Sequence, residues 1–170
     1  MEVKTGLLTV AALFAEKDER QARERAAQAK LERKKEEELS NWKSRLDAFQ
    51  VDEQHKRTIV ERIKAAFERG ESEIMLTSFP SSFCTDGGRA VANADRPPII
   101  PPTAEELKHG RAEPEWLATL PAGAGPVYKF WEEDLKPGGF RFSARIINFP
   151  DGKLGDVGLF FSWPKNALEA

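Results

Sequence analysis

Residues 16–49 contain neither glycine nor proline and are dense in charge. Such a run lacks the residues that stop a helix, and it holds too few apolar side chains to fill a core. It is expected to form a helix with most of its surface in water. With one break expected near Val51–Asp52, it leads into an amphipathic helix in which Ile59, Ile63 and Phe67 repeat at i, i+4, i+8 beside Val60 and Ala66, and which ends at Gly70, where a left-handed C-cap would sit. One unbroken helix over Glu16–Arg69 would be about 80 Å long. A core drawn from roughly 100 remaining residues cannot cover that length, so part of the helix is expected to project.

Residues 16–38 carry eight acidic and eight basic side chains. Glu16–Arg20, Glu19–Arg23, Arg33–Glu37 and Lys34–Glu38 sit at i,i+4 spacing, worth a few tenths of a kcal/mol each in a solvated helix. An apolar stripe begins at Leu39. Leu39, Trp42, Leu46 and Phe49 follow a 3-4-3 spacing, and Val60, Ile63 and Phe67 resume the same heptad register beyond Glu53 and Lys56. The stripe falls short of the three or four heptads that specify a coiled coil. Two readings stand: a coiled-coil or bundle contact, and packing on the protein's own sheet.

Upstream, Gly6–Ala15 is an apolar run in which Val3, Leu7, Val10 and Phe14 are spaced 4, 3, 4. This reads as the start of a helix with one face in need of cover. The run has the length of a secretory h-region, but Glu2 stands beside Lys4 and Glu16–Arg20 follows at once. It is too short to span a bilayer, so no membrane span is expected. One cysteine, Cys84, leaves no internal disulfide framework and fits a reducing, cytoplasmic compartment.

The remaining elements are shorter. Glu71–Phe79 reads as a strand, with Ile74 and Leu76 on one side and Met75, Thr77 and Phe79 on the other. Apolar residues on both faces suggest a central or well-covered position. An irregular, proline-rich insert is expected over residues 80–125, with an extended run at 96–102 and a capping box at Thr103–Glu106. That box opens a short helix ending at Gly110. Pro114 and Pro126 are each placed to start a further short helix. The second of these carries Val127, Phe130, Trp131 and Leu135 inward. Phe140–Phe149 and Asp156–Trp163 alternate as the strands of a hairpin, with turn residues at Pro150–Gly155.

Three segments carry a resemblance: Ile63–Glu71, Gly139–Phe140 and Gly155–Trp163. A helix ending in Gly-Glu, a strand, a helix closing before a Gly-aromatic pair, and a hairpin finishing on an aromatic together resemble small uncharacterised bacterial and phage-associated proteins. The resemblance covers roughly residues 57–163 and implies no activity.

The chemistry-bearing residues are sparse. Cys84, His55 and His109 form neither a nucleophile–base motif nor a zinc-ligand spacing. Asp86-Gly87-Gly88-Arg89 lacks the spacing of a phosphate loop and reads as a turn. The carboxylates of Glu36–Glu38 and Glu132–Asp134 read as solvated helix faces. No catalytic residue, metal or cofactor is expected. Residues 1–69 hold 16 Lys and Arg against 14 Asp and Glu, and residues 70–170 hold 10 against 14. Neither part is the basic surface typical of a nucleic-acid binder.

The expected architecture is α+β: a long projecting N-terminal helix in residues 1–50, a compact module over 51–164 with about three mostly antiparallel strands packed on helices, and a flexible tail at 165–170. The expected role is non-enzymatic docking or assembly, on a protein partner or a second copy, through Val3, Leu7, Val10, Phe14, Leu39, Trp42, Leu46 and Phe49. The alternative is a regulatory module that binds nucleic acid or another protein through Arg141, Arg145 and Lys153.

Overall fold

The computed structural model describes residues 6–94 and 113–167. Val3, the proline run 96–102, the capping box at 103–106, the helix end at Gly110, His109 and the last residues of the tail lie outside them. The chain divides into two units, Met1–Trp42 and Lys43–Ala170, and the first helix, α1 (Val10–Ala48), runs through the division. The boundary expected at residue 50 falls earlier, because the last turn of α1 belongs to the second unit. There the Asp47 carboxylate accepts the Ala122 N–H at 2.9 Å, and Phe49 packs against the core. That amide, with Lys43 beside it, holds the Asp47 carboxyl below its ordinary range.

α1 starts later than the apolar spacing implied. The Thr9 hydroxyl accepts the Ala12 N–H at 3.0 Å, which is an N-cap contact, so Leu7 precedes the helix rather than sharing its face. No residue of α1 is buried. Of the ion pairs read from spacing, Glu19–Arg23 closes to 3.9 Å on the exposed surface.

The break near Val51–Asp52 is a full helix stop. α2 (Glu53–Glu68) is opened anew by Asp52, whose carboxylate accepts the His55 N–H at 2.8 Å while His55 Nδ1 accepts the Asp52 N–H at 3.2 Å. This is a capping box with histidine in the place of Glu or Gln. The stop re-phases the helix, and the expected heptad register does not carry across it. Ile63 and Ala66 are buried and Ile59 packs on the core, while Val60 and Phe67, both expected inside, are exposed. At the far end the Gly70 N–H reaches Phe67 O and the Glu71 N–H reaches Ala66 O, both at 3.0 Å. This Schellman closure needs the positive φ of +83° that Gly70 adopts.

Three strands form one antiparallel sheet: β1 (Glu73–Pro80), β2 (Arg141–Ile146) and β3 (Asp156–Ser162), in the order β1-β3-β2. β3 is central, and every residue from Val157 to Phe161 is buried. β1 is an edge strand rather than a central one. Its strict alternation fails at a bulge between Met75 and Thr77. The extra residue lets Ile74 face Phe161 and Phe79 face Val157 on the same side, although five positions separate them. Across the other ladder Phe142, Ala144 and Ile146 oppose Phe161, Leu159 and Val157, as the alternation predicts.

The insert contributes short pieces. α3 (Arg89–Ala92) follows the Asp86–Gly88 turn, and a 3-10 turn at Leu117–Thr119 stands where a short helix from Pro114 is expected. α4 (Ala124–Phe130) begins ahead of Pro126, which sits in its first turn, where its missing N–H costs nothing. It passes into a π-turn over Trp131–Leu135 and a 3-10 turn over Lys136–Gly138. Val127, Phe130 and Leu135 are buried, and the Trp131 indole N–H donates to Phe140 O at 3.0 Å. The core joins α2, β1, α4 and β3 through Ile63, Ala66, Ile74, Val127, Phe130, Leu135 and Phe161.

Candidate functional site

In the first unit, apolar surface is concentrated at one end of α1. Leu7, Leu8, Val10, Leu13 and Phe14 are 109%, 67%, 69%, 47% and 60% exposed. Leu31 and Leu39, farther along, are exposed as well. At 100° per residue, Val10, Leu13, Phe14, Leu31 and Leu39 fall within an arc of about 100° on the helix surface. Leu8 and Leu13, which complete that cluster, were not marked by the 4, 3, 4 spacing. The signal that finds them is Thr9 as N-cap, since Leu8 and Leu13 then take the two positions of a hydrophobic staple. Of the other predicted docking residues, Trp42 is half-buried. In the second unit, Leu46 and Phe49 are half-buried on their own module.

The arginines of the sheet are differently placed. Arg145 holds Glu73 in a bidentate pair, Nη1 to Oε2 at 2.9 Å and Nη2 to Oε1 at 2.5 Å. Its guanidinium lies 3.7 Å from the centre of the Phe160 ring. Phe160 thereby keeps to 5% exposure on the outward face of the sheet. An arginine stacked and neutralised in this way must release a carboxylate before it can take a phosphate. Arg141 and Lys153 are exposed.

Cys84 is buried, and its thiol is pushed up to about 11 by burial and by the Asp86 charge. The thiolate that nucleophilic chemistry requires is therefore scarce at neutral pH. Because the folded value lies above the ordinary 9.0, stability is full below pH 9 and falls as the pH climbs toward 11. At pH 10.5 the wild type is expected to lose about 2 kcal/mol more than Cys84→Ala, relative to pH 7. Urea midpoints at the two pH values check this. The Asp86 carboxylate takes the Gly88 N–H at 3.0 Å and the Ala90 N–H at 2.8 Å. The amides that could have cradled a phosphate are thus occupied by the protein's own anion. Among the described residues no group of three or more His, Cys, Asp or Glu is placed to hold a metal ion.

Within the second unit lies a groove that no local pattern marks. It encloses about 340 Å³ between the last turn of α1, α2, the sheet and the start of α4. Buried Phe79, Val127 and Leu159 and half-buried Leu46, Phe49 and Ile59 line it. Its polar groups come from α2 (His55, Thr58 and Arg62) and from β1 (Thr77), and among the described residues no acidic side chain lines it. These residues are drawn from positions 46 to 159, so only the folded chain brings them together.

Among the described residues no helix is long and apolar enough to cross a membrane. No protein-family model, curated protein or solved structure matches the chain.

Proposed function

We propose that this chain is a non-enzymatic interaction or assembly subunit that docks on a partner protein, or on a second copy of itself, through the apolar end of α1. The observation that carries the reading is the exposure of five large apolar side chains within the eight residues Leu7–Phe14. Leaving such a cluster in water forfeits about 25 cal/mol per Å² of apolar surface, and exposed apolar clusters of this kind mark contact sites. Leu31 and Leu39 extend the face along the helix. Its remaining surface carries balanced charge, which keeps the helix soluble and sets register rather than affinity.

Leu13→Glu with Phe14→Glu tests this on the full chain. Both sites are exposed, so the fold is expected to keep its urea midpoint. Light scattering coupled to gel filtration is expected to give a discrete oligomer for the wild type and a monomer for the double variant. Loss of two apolar anchors at a contact centre corresponds to at least a hundredfold weaker association at about 1.4 kcal/mol per site. A wild-type monomer confines the reading to a foreign partner, whose capture by immobilised full-length protein must then disappear with the same substitutions. Capture that survives them ends the proposal.

A further inference from the structure

We propose that the groove of the second unit is a binding site for an apolar monocarboxylate, with its chain on Phe49, Ile59, Val127 and Leu159 and its carboxylate on Arg62. Several observations converge. The volume of about 340 Å³ lies in the range of small-ligand sites. It is more than twice the roughly 150 Å³ of an engineered apolar cavity that takes benzene. A well-packed interior has few voids of that size. The lining is apolar apart from a few groups, and the only ones that carry or can gain charge, Arg62 and His55, are cationic when charged.

Arg62 is placed for a ligand rather than for a protein carboxylate. One of its guanidinium nitrogens, Nη2, donates to Met75 O at 2.6 Å, which anchors the side chain beside the groove. Among the described residues no carboxylate lies within ion-pair distance of it. The other arginines that flank the sheet and the end of α2, Arg145 and Arg69, each hold a glutamate. The guanidinium retains donors suited to a bidentate carboxylate. Two of the other three polar wall groups already serve the protein: Thr58 Oγ1 donates to Gln54 O, and His55 Nδ1 accepts from Asp52, while the third, Thr77, is an uncharged hydroxyl on β1. An apolar wall with a single unpaired cation selects an amphipathic anion over an amine or a sugar. The volume sets its size at about ten to twelve non-hydrogen atoms.

Decanoate is the probe, titrated into the full-length protein below its micellar concentration and followed by two-dimensional amide NMR. 1-Decanol serves as the uncharged comparator. The expected result is saturable one-site binding with shifts at Phe49, Ile59 and Val127. Arg62→Ala is expected to weaken decanoate by between about tenfold and a hundredfold while leaving decanol unchanged. Arg62→Lys is expected to recover part of the loss. Thr58→Trp, an exposed wall position, should block both probes. Should Arg62→Ala lose the fold along with its Met75 contact, Arg62→Gln carries the same comparison. Absence of saturable binding overturns the proposal. So does equal decanoate affinity in the arginine variants, or binding that persists in Thr58→Trp.

Discussion

Replacing Phe161 with alanine is expected to lower the urea midpoint of the second unit by roughly 2 M, with an unchanged m-value. Phe161 is 0% exposed on the central strand. Its ring meets Phe142 at 5.3 Å and Phe130 at 6.2 Å between centres, and its backbone pairs with both flanking strands. Truncation removes a ring in contact with both the helix layer and the sheet, and neither side can collapse without breaking a ladder. Phe→Ala at such sites costs about 4 kcal/mol, a large share of the 5–15 kcal/mol typical of a whole domain. Phe67→Ala is the matched comparison. Its ring is 66% exposed, so a change within about 0.5 kcal/mol is expected. Equal losses at the two positions would show that the buried face of α2 has been misassigned.

Gly123→Ala is expected to cost about 2–3 kcal/mol and to detach the last turn of α1 from the module. A Cβ at this position would lie 1.9 Å from the Leu46 carbonyl oxygen and 2.8 Å from Phe49 Cβ. The nearer obstacle is backbone and cannot rotate aside. The Ala122 N–H to Asp47 bond, one residue away, has to open as the chains separate. Hydrogen exchange at the Ala122 amide is therefore expected to accelerate along with the fall in midpoint. Gly125→Ala, two residues on, meets nothing within 4 Å and lies within α4. It should be neutral, or stabilising by up to about 1 kcal/mol through helix propensity. If Gly123→Ala behaves like Gly125→Ala, the close approach of α1 and the 121–124 segment is absent in solution.

The pair of glycines illustrates what a sequence discloses. Features set within a few residues were readable: the helical run without Gly or Pro, the stop at Gly70, and the alternation of Phe142, Ala144 and Ile146. The inward set Val127, Phe130 and Leu135 was readable too, because its spacing is helical. Features set by meetings between distant segments were not. Nothing near Gly123 announces that Leu46 will lie against it. The bulge in β1 is visible only once Phe161 and Val157 fix which residues must face inward. The buried side of α2 was legible in part: Ile59, Ile63 and Ala66 pack inward at helical spacing while Val60 and Phe67 are exposed, and the four-residue stop before Glu53 breaks the longer heptad register. The cause of that stop was partly hidden, since histidine at the third helical position is an uncommon member of a capping box. The exposed apolar face of α1 was legible in outline from Val10, Phe14 and Leu39, whereas the groove, assembled from five separate segments, was not.

The bulge also bears on how copies of this chain can associate. An edge strand offers a row of backbone donors and acceptors to any extended segment, and regular edges act as templates for fibres. β1 is a poor template. Its register slips between Met75 and Thr77, the Met75 carbonyl is already taken by Arg62, and Pro80 at its end brings no N–H. The opposite edge, β2, carries the exposed Arg141 at its start, a charged side chain of the kind that discourages strand addition. Growth by strand addition is disfavoured at both margins of the sheet.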